Sequence, residues 1–229
     1  MTEDQDPAVD AASDGSHDHY FTARPASAAE RSTISVRLAG RDVQVEVASG
    51  VFSPGRLDLG TQVLLRTTPP LDDVLAARKD TGPAHVLDLG CGWGPVALTM
   101  ALEAPGATVW AVDVNERALD LVRRNAERLG LTNVRAVVPE DVPGDVAFAA
   151  LWSNPPIRVG KEVLHAMLLR WLPRLAPGAS AHLVVQRNLG SDSLQRWLAD
   201  ALPPLLPGAV VERAASAKGF RVLEVVAPA

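Results

Sequence analysis

From residue 84 onward the chain alternates short apolar runs with helical segments, and this alternation restricts the fold more than any other feature. HVLDLG (85–90) reads as a strand and PVALTMALEA (95–104) as a helix. ATVWAVD (107–113) is the next strand. NERALDLVRRNAERLG (115–130) follows as a helix, with Asn115 as its N-cap and Gly130 just past its end. NVRAVV (133–138) and DVAFAALWSN (145–154) add two strands, GKEVLHAMLLRWLPRLA (160–176) a helix, SAHLVVQ (180–186) a strand and DSLQRWLADAL (192–202) a helix. AVVERAA (209–215) and FRVLEVV (220–226) lie too close together for a crossover helix, so they pair antiparallel. The expected architecture is an α/β doubly wound sheet with one reversed strand at its end.

Ahead of that region, TISVRL (33–38) and VQVEVA (43–48) alternate apolar and polar residues around AGRD, which predicts a β-hairpin. SGVFSPGRLDLGTQVLL (49–65) predicts a loop and a short helix that Pro69-Pro70 must stop. Residues 1–18 hold too little apolar surface to order and are expected to be a disordered acidic tail, with order beginning near His19. The organisation is therefore tail 1–18, β-rich extension and loop 19–60, and main domain 61–229.

The first 19 residues carry six acids and no Lys or Arg; without them 21 acidic residues face 22 basic ones. The near-neutral body excludes a strongly cationic nucleic-acid clamp, though not a local basic patch. The single cysteine, Cys91, excludes an internal disulfide framework and a Cys-rich zinc site, so no metal is expected. The start of the chain is unlike a secretory signal, and no run approaches the roughly 18 apolar residues of a membrane span. A soluble cytoplasmic protein, monomeric or weakly dimeric, is expected.

Asp88-Leu-Gly-Cys-Gly-Trp-Gly94 sits between a strand and a helix. Glycines 90, 92 and 94 permit a sharp turn and close backbone approach to a ligand at the helix N-terminus. Asp113, closing the next strand, stands where a carboxylate takes two hydrogen bonds from ribose hydroxyls. A tight β-α turn with packing glycines is the alternative reading. Asp141, at the end of the third strand, is either an acceptor for an adenine amine or a solvated turn acid.

The fourth strand ends in Ser153-Asn154-Pro155-Pro156-Ile157. Two prolines stiffen this loop at the C-terminal edge of the sheet, where the Asn154 oxygen and a proline carbonyl can accept from a substrate NH₂ group. Such positioning is most of what an amine needs to attack a sulfonium methyl. The alternative is an Asn-capped turn that merely ends a strand. Arg158, Lys161 and His165 are candidate phosphate contacts or an ordinary solvated helix start, Lys218 is a candidate RNA contact or a charged turn residue, and Arg187, after the fifth strand, is a weaker candidate to point into the crevice. His165 is an unneeded base, while Trp171 and Trp197 read as core.

DLGCGWG, Asp113, NPPI and KGFRVLEV together resemble a class I S-adenosylmethionine-dependent methyltransferase. GVFSPGRLDLGTQVLL, NPPIRVGKEVLH and KGFRVLEV resemble, more narrowly, the small-domain group related to ribosomal RNA guanine-amine methyltransferases, over about residues 19–227. The resemblance implies a Rossmann-like seven-stranded sheet in the order 3-2-1-4-5-7-6, the last strand antiparallel. It implies S-adenosylmethionine held by Asp88, Gly90, Cys91, Gly92, Gly94, Asp113, Val114, Asp141, Asn154 and Thr61, with Asp58 and Thr61 on a covering loop. It places the target amine at Asn154, Pro155 and Pro156, near Ile157, Arg158, Lys161 and Lys218. Ile157 stands where such enzymes carry Tyr or Phe to stack on the target, so either Trp152 or Phe52 supplies a platform or the target is held differently. The implied substrate is a guanine amine in ribosomal RNA or a ribosomal subunit. Alternatives are protein glutamine methylation, a nicotinamide-dependent oxidoreductase, and a cofactor-binding protein without catalysis.

Overall fold

The computed structural model describes residues 30–78 and 82–229, so the acidic segment 1–18 and the start of the extension lie outside the described residues. Strands β1 (Arg31–Leu38) and β2 (Arg41–Ala48) form the expected hairpin. Ala39 and Gly40 both take positive φ, 45° and 74°, in its two-residue turn. Such turns match the strands' own twist. Helix α1 (Leu59–Thr67) is capped by the Asp58 carboxylate and stops before the two prolines. Helix α2 (Leu71–Ala76), which the sequence reading passed over, starts directly after them. Its first N–H donates to Glu103 Oε2 at 3.0 Å.

The main sheet is assembled from β3 (His85–Leu89), β4 (Thr108–Val112), β5 (Val134–Val137), β6 (Phe148–Ser153), β7 (Leu175–Gln186), β8 (Val210–Ala217) and β9 (Phe220–Val226). Its order is β5-β4-β3-β6-β7-β9-β8. Counted within the sheet this is the expected 3-2-1-4-5-7-6, with the last strand antiparallel to both neighbours. The intervening helices are α3 (Pro95–Glu103), α4 (Glu116–Arg128), α5 (Lys161–Trp171) and α6 (Ser191–Ala201). β7 begins five residues earlier than SAHLVVQ, because Leu175 already pairs with Phe148 across an irregularity in the ladder.

Alternate side chains of the central strands enter opposite layers, as the two-residue strand period requires. Leu87, Leu151 and Leu183 pack with Leu164, Leu168 and Trp171 of α5 and Leu198 of α6. Val86, Ala150, Trp152 and Val184 pack with Leu64 of α1, Ala97 and Met100 of α3, and Val122 of α4. Trp197 departs from the core expectation: it is half-buried and stacks on His165, ring centroids 3.5 Å apart.

The hairpin docks outside this sandwich. Leu38, Val45 and Val47 pack on Trp93, Leu98 and Leu121. Buried Asn125 of α4 pins it, accepting from Glu46 N–H at 2.6 Å and donating to the Glu46 and Trp93 carbonyls at 3.0 and 3.2 Å.

Candidate active site

The C-terminal ends of β3, β4 and β6 meet above the centre of the sheet, where open α/β sheets bind ligands. Ser153 Oγ donates to the Leu89 carbonyl at 2.7 Å, tying the β6 and β3 ends together. A cleft there is lined by the glycine loop from Gly90 to Trp93, by Asp88 and Asn154, and by Phe52, Asp58 and Thr61 from the segment before α1. Residues from three separate sequence motifs therefore share one cavity.

The glycine loop is fixed from beneath. The Gly90 and Cys91 N–H groups donate to the Val112 carbonyl at 2.8 and 3.1 Å. Asp113, just past β4, accepts from Gly92 N–H at 2.9 Å through Oδ2 and from Asn115 N–H at 2.9 Å through Oδ1. Gly94, at φ 94°, caps α3, and a β-carbon there would lie 2.9 Å from Val122 Cγ2. The third glycine is thus required by packing against α4, while the space over Gly92 is open.

Asp88 is 1% exposed, and its Oδ2 accepts from Ala97 N–H of α3 at 2.8 Å. Burial pushes its pKa up to about 8, against that hydrogen bond and aided by the charge of Asp113. Burial also raises Asp113, opposed by the Asn115, Gly92 and Val114 N–H groups. The Cys91 thiol is pushed well above its ordinary value by burial and the two carboxylates, so it is no nucleophile.

Asn154 lies opposite the glycine loop. Its Nδ2 donates to Asp58 Oδ2 at 3.0 Å and to Thr61 Oγ1 at 3.1 Å. Ile157 N–H donates to the Pro155 carbonyl at 2.8 Å, around Pro156 at φ −74° and ψ 78°. This is an inverse γ-turn whose φ the proline ring presets. The Pro155 carbonyl keeps a second lone pair.

Gly94, Asp113, Pro155 and Pro156 are not among the residues that line the cleft, and neither are the remaining sequence candidates. Asp141 is exposed at the end of a 3-10 turn, and Val114 is exposed beyond β4. Ile157 is half-buried against the α5 layer. Arg158, Lys161, Arg187 and Lys218 are exposed, Lys218 in the β8–β9 turn. Trp152 is 2% exposed in the core, so it is no platform, whereas Phe52 lines the cleft and is 44% exposed. The Asp58–Asn154 contact was missed. An N-cap acid before an apolar run was a readable sign of a helix start, but nothing local could pair it with a residue 96 positions away.

Residues 42–224 match the family described as the methyltransferase small domain. The protein YbxB of Bacillus subtilis (strain 168), described as uncharacterized, is 34% identical over 77% of this chain and 85% of its own length. The ribosomal RNA small subunit methyltransferase C of Chromohalobacter salexigens is 34% identical over 79% of this chain and 51% of its own. The release factor glutamine methyltransferase of Gloeobacter violaceus is 33% identical over 75% and 56% respectively. This chain therefore spans only about half the length of these two enzymes. Among solved structures, the T. thermophilus 16S rRNA N2 methyltransferase RsmC, in complex with AdoMet and guanosine, superimposes with a TM-score of 0.67 at 24% identity, covering 87% of this chain and 51% of that one.

Fold and site together define a class I methyltransferase whose cofactor is S-adenosylmethionine. Within that class, the chain belongs to the methyltransferase small domain family. The family match sets aside the nicotinamide-dependent alternative. The residues present fit the cofactor: Asp113 retains acceptor capacity on both oxygens, the space over Gly92 is open, and a buried carboxylate stands at the head of the cleft. Among the described residues no His, Cys, Asp and Glu cluster could hold a metal, and no helix is long and apolar enough to cross a membrane.

Proposed function

We propose that this chain methylates the exocyclic amine of a guanine in ribosomal RNA, acting on the naked RNA or an assembled subunit. The observation that carries the reading is the Asn154 amide facing the glycine loop within one cleft. The similarity to ribosomal RNA methyltransferases supports the nucleic-acid substrate. When bound, S-adenosylmethionine supplies a methyl group on a sulfonium whose leaving group is neutral. Asp113 would hold the ribose hydroxyls, Asp88 the amino group, and Gly90 and Gly92 would let the backbone approach.

Asn154 Oδ1 and the Pro155 carbonyl accept from the two N–H bonds of the target amine and hold its nitrogen in line for attack. The γ-turn at Pro156 keeps the Pro155 carbonyl in place without an entropic cost at the moment of reaction. Phe52 is the exposed aromatic at the mouth and replaces the platform that Ile157 cannot provide. The same two acceptors also suit a glutamine side-chain amide, and the similarity to a release factor methyltransferase makes that the second reading.

The test is transfer of labelled methyl from S-adenosylmethionine to naked ribosomal RNA, ribosomal subunits and cell protein, all from a strain lacking this gene. Label released as methylguanosine from either RNA fraction is the expected result. Label confined to protein selects the glutamine reading. No label in any fraction, with the cofactor bound, contradicts both.

A further inference from the structure

A single carboxylate oxygen joins the segment before α1 to the reacting loop. Asp58 Oδ2 accepts from Gly60 N–H at 2.8 Å, from Thr61 N–H at 3.2 Å and from Asn154 Nδ2 at 3.0 Å. Thr61 Oγ1 takes a second bond from the same nitrogen at 3.1 Å. An amide NH₂ has two donors and a carboxylate only acceptors, so this pair of contacts admits one orientation of the Asn154 side chain. With Nδ2 engaged, Oδ1 remains as the end able to accept.

We propose that Asp58 is a positioning residue that, with Thr61, turns the Asn154 amide so that its oxygen rather than its nitrogen meets the target amine. This inference rests on the reading of Asn154 as the amine acceptor. A flipped amide would offer two donors to an NH₂ group that also donates, and would repel it. Asp58 therefore does two things with one oxygen: it starts α1 and it sets the polarity of the reacting loop.

Gly60 bears on the same carboxylate. It is buried within α1, where glycine is a poor helix former. A β-carbon there would lie 2.9 Å from Asp58 Oδ2 and 3.0 Å from Phe220 Cε1. An alanine there would press both on the oxygen that three donors hold and on the Phe220 ring.

Three variants separate positioning from folding. Asp58→Ser keeps a helix cap but is too short to reach Asn154; Asp58→Asn keeps an oxygen that can cap and reach; Gly60→Ala displaces the carboxylate while leaving both partners intact. The first readout is solvent exchange of the Asn154 side-chain amide protons by NMR in ¹⁵N-labelled protein, assigned by their loss in Asn154→Ala. Exchange should accelerate about tenfold or more in Asp58→Ser and Gly60→Ala, as expected for losing the hydrogen bond, and by less in Asp58→Asn, which keeps the bond without the charge. The second is methyl transfer to the fraction that wild type labels. There kcat, measured at saturating cofactor, should fall about 10- to 100-fold in Asp58→Ser and recover substantially in Asp58→Asn. Wild-type exchange in both Asp58→Ser and Gly60→Ala overturns the proposal. Faster exchange with unchanged kcat also overturns it. If wild type labels neither RNA nor protein, the functional reading fails, and the exchange experiment still decides whether Asp58 holds the amide.

Discussion

Gly94→Ala tests whether the third glycine of the loop serves packing or ligand approach. Gly94 has φ 94°, and its missing β-carbon would stand 2.9 Å from Val122 Cγ2 and 3.4 Å from Cγ1. Val122 is fully buried on α4 and cannot swing into solvent. Forcing an L-residue into this backbone region costs about 1–3 kcal/mol, and overpacking the contact adds about 1–3 kcal/mol. The sum, roughly 2–6 kcal/mol, lowers Tm by roughly 4–24 °C for a domain of this size. Val122→Ala makes room for the added methyl but does nothing for φ. The double variant should therefore recover about 1–2 kcal/mol relative to additivity. Thermal unfolding of the four proteins gives the coupling, and calorimetric titration with S-adenosylmethionine below the lowest Tm gives affinity. A Gly94→Ala protein with wild-type Tm and no cofactor binding would refute the packing argument and return Gly94 to the ligand.

Asp88 ties cofactor binding to pH. With its pKa near 8 it carries a proton below that pH, and a cationic amino group beside it favours the carboxylate, so binding expels the proton. Affinity should rise with pH toward 8, by at most about tenfold per unit for one proton, and Asp88→Asn should flatten the profile. Calorimetry in buffers of different ionisation enthalpy reads that proton, and its absence in wild type would remove Asp88 from the amino-group site. Asn125→Leu strands the Glu46 and Trp93 backbone groups and should cost about 2–4 kcal/mol. Amide exchange should then accelerate first across residues 31–48, and an unchanged pattern there would show that Asn125 does not hold the hairpin.

The sheet was legible because buried parallel strands leave continuous apolar runs between amphipathic helices, and because the β8–β9 spacing forbids a crossover. Helix α2 was not, since its six residues are too few for a helical period to emerge from LDDVLA. The strand expected at 180–186 starts earlier, because β7 passes through Pro177 and Gly178, with Gly178 at φ 71° where the ladder is irregular. The glycine loop and Asn154 announce themselves by spacing, whereas Asp58 becomes part of the site only through a contact across the fold. Asn125 is a polar residue on the same helical face as Ala118, Leu121 and Val122, but nothing local marks the β1–β2 hairpin as its partner.

The central claim is that Asn154 holds the amine that receives the methyl group. Its most direct test is Asn154→Ala, measured for S-adenosylmethionine affinity and for methyl transfer to the fraction that wild type labels. Measured at saturating S-adenosylmethionine, transfer should fall by at least about 100-fold. Turnover near the wild-type rate would show that another group holds the amine and that this account of the reacting loop is wrong.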